Sequence, residues 1–318
     1  MYEKEDRWLR ETYVDLLIEY AKKDPRIVIL EADLSNAGGT KRFTEEFKGR
    51  RTVDCGIQES NMIGAAAGMN AMGMIPFTHT FTPFATRRVC DQVTLSVAYA
   101  GLNVKMMGSD PGVTAEMNGG THMSMEDVSI MRNIPGMTIY EPVDSAQLNA
   151  IFPQILASDE PTYIRLLRRN AVKIWEDGEE FTLGKGKMIK EGTDVSIFAS
   201  GIEVAEAMKA AEELEKEGIS AEVINIHTVK PLDTEIVLAS SKKTGAVVTA
   251  ENHSVIGGLG SAIAEVLVEN CPMPLKRVGV KDHFGEVGKT DFLMEKYHLM
   301  AADIVEAAKE AIAMKEAK

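Results

Sequence analysis

Short apolar runs separated by amphipathic stretches recur along the whole chain. Residues 27–30 (IVIL) predict a strand, followed by the turn-rich segment 33–39 (DLSNAGG). A second run at 52–53 leads into a predicted helix over 58–72, a strand at 75–77, a long helix over 83–100 and a strand at 104–107. Past a Gly/Ser/Asp-rich segment at 108–121, the pattern predicts helices at 124–132 and 145–157 and strands at 137–140 and 162–167. Strands alternating with helical stretches imply a parallel sheet covered on both faces. Between 169 and 194 the chain turns polar and glycine-rich, so we draw a domain boundary there, with residues 1–184 on one side and 185–318 on the other. Beyond it the alternation resumes, with strands at 195–199, 222–226, 246–250 and 276–280 and helices at 202–217, 233–241, 259–269 and 302–316. In the first of those helices Val204, Ala207, Met208, Ala211 and Leu214 recur at three- and four-residue spacing, an apolar stripe suited to covering a sheet. The predicted fold is α/β: two doubly wound domains, the second smaller, each with its own layered core.

Composition narrows the function classes. The 318 residues are 45% hydrophobic and 26% charged, the proportions of an ordinary globular chain. With 35 Lys+Arg against 48 Asp+Glu the formal charge is −13, so nucleic acid and anionic membrane surfaces are excluded as expected partners. Only Cys55, Cys90 and Cys271 occur, and the N-terminal residues are charged throughout, which predicts a reduced, cytoplasmic protein without an export leader. The longest apolar stretch, 62–69, is too short to span a bilayer.

Some glycine motifs lead nowhere. In GEVGKT (285–290) the position that a phosphate loop needs for its first glycine is His283. GGLGS (257–261) opens a helix and is suited either to an anion or to close packing on the sheet. The six histidines are scattered without metal-ligand spacing, so no metal ligand is assigned to this chain. The chemistry concentrates elsewhere. In DCGIQESNMIGAAAGM (54–69), Glu59 opens a helix whose residues 62–69 are all apolar or small, as for a helix buried against a second subunit and its own sheet. Taken alone, a first-turn glutamate merely complements the helix dipole. However, Phe81 and Phe84 follow a strand, His122 follows a glycine pair, and RLLRRN (165–170) ends a strand in cations. All four fall where parallel sheets bind ligands, at the carboxyl ends of strands.

Together these segments resemble the C-terminal half of transketolase, the pyrimidine-binding domain followed by the C-terminal domain, over nearly the whole chain. GIQESNMIGAAAGM resembles the family's catalytic-glutamate helix, FTHTF with Phe84 its aromatic pocket, GGTH its substrate histidine and LRRN its phosphate-site arginine motif. ENHSVIGGLGSAIAEVL (251–267) resembles the C-terminal domain signature. The resemblance implies thiamine diphosphate as coenzyme, with Glu59 hydrogen-bonded to ring nitrogen N1′ and Phe81 and Phe84 against the pyrimidine. It implies His122 at the sugar oxygens, Arg168 on the substrate's terminal phosphate, Asp33 (from EADLSN) at the cofactor and Ser35 as a further phosphate ligand. Asn118 stands where the family commonly has an acid that contacts a substrate hydroxyl, which implies a different reading of that hydroxyl.

Transketolases hold the coenzyme's diphosphate through Mg²⁺ with a GDG motif in an N-terminal domain, and no GDG occurs here. The implied protein is one subunit of a split enzyme, inactive alone and assembled with an N-terminal partner carrying that motif as a two-plus-two heterotetramer. Its reaction would move a two-carbon glycolaldehyde unit from a ketose phosphate to an aldose phosphate, with the choice between phosphate and sulfonate as terminal anion left open. The rival readings are the beta subunit of a thiamine-dependent 2-oxo acid dehydrogenase, deoxyxylulose-phosphate synthase, and a non-catalytic regulatory paralogue. The pattern from Thr121 to Glu126 favours the transketolase reading over the first of these.

Overall fold

In the computed structural model, which describes residues 2–317, the apolar runs form twelve strands. They are β1 (Ile27–Glu31), β2 (Thr52–Asp54), β3 (Ile75–Phe81), β4 (Lys105–Ser109), β5 (Thr138–Tyr140), β6 (Thr162–Leu166), β7 (Lys187–Lys190), β8 (Val195–Ala199), β9 (Ala221–Asn225), β10 (Thr228–Lys230), β11 (Val247–Ser254) and β12 (Leu275–Val280). They build two α/β sheets, as expected: one in the order β10-β5-β6-β4-β3-β1-β2, the other β12-β11-β8-β9-β7. Every pairing is parallel except the two edge contacts β10–β5 and β7–β9. β1 runs out to β2 on one side, and the chain returns to β3 on the other, which makes a switch point between β1 and β3.

Both faces of each sheet are covered, so strand neighbours alternate between cores. Ile29, Phe77, Met107 and Ile164 face one apolar cluster, while Leu30, Met106, Ile139 and Tyr163 face another. In the second sheet Ile197, Val223 and Val248 point one way and Phe198, Ile224 and Val247 the other. Each fully buried side chain of this size stabilises the fold by about 1.5–3 kcal/mol.

Two sequence expectations change in the folded chain. β10, from beyond residue 185, completes the edge of the first sheet, so the halves interlock. The helix predicted over 83–100 is instead a series of short pieces, Thr82–Ala85, Arg87–Val89 and Cys90–Gln92, followed by π-helical Val93–Tyr99. Thr86 Oγ1 bonds back to Thr82 O at 2.8 Å and Thr82 Oγ1 donates to Ser109 O at 2.7 Å, hydroxyl bonds that compete with a regular helix. At GGLGS the helix N-terminus takes an internal anion: the Glu251 carboxylate accepts from the N–H of Leu259 (2.7 Å) and Gly260 (2.9 Å). No helix among the described residues is long and apolar enough to cross a membrane.

Candidate active site

Register brings the carboxyl ends of β1, β3, β4 and β6 to one edge, with Glu31 opposite His79, Phe81 opposite Ser109 and Ser109 opposite Leu166. Side chains leaving those ends converge. Glu59 begins the helix Glu59–Ala71, whose Met62, Ile63, Ala66 and Ala67 pack inward. Its side chain is 2% exposed, and Arg88 Nη1 donates to its Oε1 at 2.7 Å. The break at Thr86 (φ −126°, ψ −81°) delivers that arginine: Arg87 reaches Glu126 at 2.7 Å while Arg88 turns to Glu59. The same Arg88 guanidinium lies over the Phe84 ring, 3.7 Å from its centroid.

Phe81, Phe84 and His122 form a three-ring cluster with centroids 5.1–6.4 Å apart, all edge-on. The second domain braces the loop that carries His122. Val113, Ala115, Met123 and Met125 belong to its core, and Gly120 sits so close to Gly285 that a Cβ there would collide with the Gly285 carbonyl. Within the loop Glu116 is held at φ 48°, ψ −119° by Thr290, which donates at 2.6 Å, and Arg169, paired at 2.6 Å. A non-glycine residue in that region stores strain, here fixed by two charge-assisted contacts.

Arg168 lies at the other end of the cluster, its Cζ 5.8 Å from the Phe81 centroid and its Nη2 2.9 Å from Asp110 Oδ2. Burial pushes Asp110 up to about 6, against the downward pull of Arg168 and Arg169. Arg10, from the helix Leu9–Lys23, donates to Ala37 O in the turn Ser35–Gly38. Burial lowers its pKa, and the charge of Arg168 lowers it further. Two guanidinium groups and one carboxylate thus make a corner receptive to an anion, with half-buried Ser35 on the adjoining turn.

Of the residues picked from sequence, Glu59, Phe81, Phe84, His122 and Arg168 come together, and Ser35 adjoins them. Asn118 is exposed at the end of Gly112–Asn118. Asp33 is exposed at φ 59°, its N–H bound to Asp54 at 3.0 Å, and its carboxylate has no hydrogen bond or ion pair among the described residues. Sequence reasoning missed Arg10, Arg88, Asp110 and a buried Glu31–His79–Tyr13 group. In that group His79 lies 3.0 Å from Tyr13 Oη and 3.5 Å from Glu31 Oε1. Burial pushes Glu31 up to about 8 and His79 down to about 4, so both are neutral at pH 7. Only a charged residue within an apolar strand, as in IVILE, could have signalled Glu31; Arg10 looks like any solvated helix arginine. The described residues form no group of three or more His, Cys, Asp or Glu able to hold a metal ion.

Residues 7–173 match the transketolase pyrimidine-binding domain and residues 184–304 the transketolase C-terminal domain. The chain is 71% identical over 306 residues to a 6-deoxy-6-sulfo-D-fructose transketolase subunit of Clostridium sp., covering 96% of this chain and 95% of that one. It is 33% identical to an apulose-4-phosphate transketolase subunit of Phocaeicola vulgatus, covering 95% and 97%. A solved split-gene transketolase, an inactive beta4 tetramer, superposes with a TM-score of 0.90 at 43% identity, covering 97% of this chain and 99% of that one. The fold is that of a thiamine diphosphate-dependent family. Within that class the chain belongs to the transketolase family, in the form of a split-transketolase subunit rather than a 2-oxo acid dehydrogenase beta subunit.

Proposed function

We propose that this chain is the cytoplasmic C-terminal subunit of a split transketolase and moves a two-carbon glycolaldehyde unit from a ketose with a terminal sulfonate to an aldose phosphate. The observation that carries this reading is the convergence of Glu59, the Phe81–Phe84–His122 cluster and the Arg168 corner on one sheet edge. Residues 1–184 would hold the coenzyme's pyrimidine, and residues 185–318 would brace the His122 loop.

The residues present fit an aminopyrimidine: a buried carboxylate beside aromatic rings offers an acceptor for a ring N–H and apolar faces for the ring. Bound thiamine diphosphate would supply the carbanion chemistry that breaks and remakes the carbon–carbon bond. Glu59 would hold a proton at N1′, Phe81 and Phe84 would pack on the ring, and His122 would bond the sugar oxygens and hold a proton there. Asn118, able both to donate and to accept, would meet a substrate hydroxyl. Arg168, with Arg10 and Ser35, would clamp the terminal anion. Asp33, exposed on the turn after β1, would meet the coenzyme. Two guanidiniums less the Asp110 carboxylate leave one net positive charge, which a singly charged sulfonate balances. The 71% identical relative, a sulfo-fructose transketolase subunit, supports the same choice.

An N-terminal subunit carrying the GDG motif would hold Mg²⁺ and the diphosphate in a two-plus-two heterotetramer. Self-association of a similar chain supports an oligomeric design. So does the outer face of Glu59–Ala71, where Gly64 and Gly68 are exposed and a Cβ on either would meet nothing within 4 Å. Met72, 83% exposed, and Tyr99, 87% exposed, are large apolar side chains left uncovered in the single chain. The test is to combine the chain with its N-terminal partner, thiamine diphosphate and Mg²⁺, and assay transfer from sulfonated and phosphorylated ketoses. Preference for the sulfonated donor, with no turnover by the chain alone, is expected. Absence of transfer from either donor would refute the reading.

A further inference from the structure

Arg88 makes two contacts with its one planar cation. Its Nη1 donates to Glu59 Oε1 at 2.7 Å, and its Cζ lies 3.7 Å from the centroid of Phe84. These are the two contacts proposed above for the coenzyme's aminopyrimidine: an N–H donated to the Glu59 carboxylate and a flat face against the aromatic pocket. A guanidinium and a protonated aminopyrimidine share the chemistry that matters here, being planar, delocalised and N–H-bearing. We infer that Arg88 is an internal occupant of the pyrimidine site, standing in for the coenzyme between Glu59 and Phe84 and leaving when the coenzyme's ring enters. The inference rests on the proposed function.

Three further features support displacement over a permanent role as a ligand. The Arg88 side chain is 42% exposed, so solvent lies beside it and a route out is open. Among the described residues its only ion pair is with Glu59, and no backbone carbonyl accepts from it. Its backbone lies in the short helical piece Arg87–Val89, directly after the break at Thr86 and outside any long helix. The stand-in also has a use. A carboxylate as buried as Glu59 is costly without a partner, and Arg88 supplies one until the pyrimidine arrives. Arg87 offers a matched control: it is adjacent in sequence, also cationic and paired with Glu126 instead.

The experiment measures thiamine diphosphate binding, by quenching of intrinsic fluorescence, to the complex of this chain with its N-terminal partner and Mg²⁺. Arg88→Met removes the competing plane and charge while keeping an apolar stem. Displacing one partly exposed ion pair and one cation–π contact opposes entry by about tenfold in affinity, so the variant should bind about tenfold more tightly and with a faster on-rate. Arg88→Lys, which keeps the charge without the plane, should fall between the two, and Arg87→Met should bind like the unaltered complex. Unchanged or weaker binding by Arg88→Met would overturn the inference, because a ligating arginine weakens binding when it is lost. Should the unaltered complex fail to bind the coenzyme at all, the transketolase reading itself falls, and this inference with it.

Discussion

Arg165 is fully buried where the two domains meet, and its removal is the sharpest test of what holds them together. From β6 it donates Nε to Asp127 Oδ2 at 2.7 Å, Nη1 to Glu141 Oε1 at 2.5 Å and Nη2 to the carbonyl of Asn252, on β11 of the second sheet, at 2.6 Å. Tyr163 adds a hydroxyl to Asp127 at 2.7 Å. Burial by itself would raise Asp127, but Arg165, with His253 and Tyr163, holds it below the ordinary carboxylate value. Arg165→Met leaves two buried carboxylates without their cation, a change that costs about 3–5 kcal/mol. At roughly 2–3 °C per kcal/mol for a chain of this size, the melting temperature should fall by about 6–15 °C. Calorimetry at pH 7.5 would read the shift, and denaturant titration would give the free energy. The stranded carboxylates would then carry raised pKa values, so the native variant binds more protons than its unfolded chain and its deficit should shrink as the pH falls to 5. The triple variant Arg165→Met, Asp127→Asn, Glu141→Gln should recover most of the loss, because no charge is left unpaired. A single variant within 1 kcal/mol of the parent, or a deficit that grows on acidification, would refute this account of the interface.

In the assembled enzyme Glu59→Gln should lower kcat by at least about 100-fold, since the amide cannot exchange a proton with N1′, while circular dichroism and melting stay close to the parent. Near-normal turnover would remove Glu59 from its role. Arg168→Lys replaces a planar fork with a point charge and should raise KM for the anionic donor by about tenfold with kcat little changed; an effect on kcat alone would contradict an anion clamp. Glu31 titrates near 8 in the folded chain against 4.5 as its ordinary value, so the native state holds an extra proton between those limits and loses stability as the pH rises through them. Glu31→Gln lacks that slope, and melting curves from pH 5 to 8 should show it gaining on the parent throughout. Parallel curves would mean that Glu31 is not buried as a neutral acid.

Much of this protein is local and therefore legible in one dimension. The period of the apolar runs determined two α/β sheets, because a strand covered on both faces must be apolar at nearly every position, as IVIL and the strand from Val195 to Ala199 are. Position relative to strand ends draws attention to Phe81, Phe84, His122 and the cations of RLLRRN, since turns after parallel strands are where side chains escape the core, while the family resemblance singles out Glu59 and Arg168. What remained hidden depends on partners distant in sequence. Arg88 is set apart from Arg87 only by a helix break that two threonine hydroxyls impose through contacts with Thr82 and Ser109. The crossing of β10 to the first sheet was hidden because its pairing with β5 joins residues about ninety positions apart, and its three residues carry no periodicity. Arg10 and Asp110 acquire meaning only once the fold sets them beside Arg168, and Glu31 and His79 only once β1 and β3 pair in register. Pattern decides which elements form; the charges and distances that make a site arise when those elements are brought together.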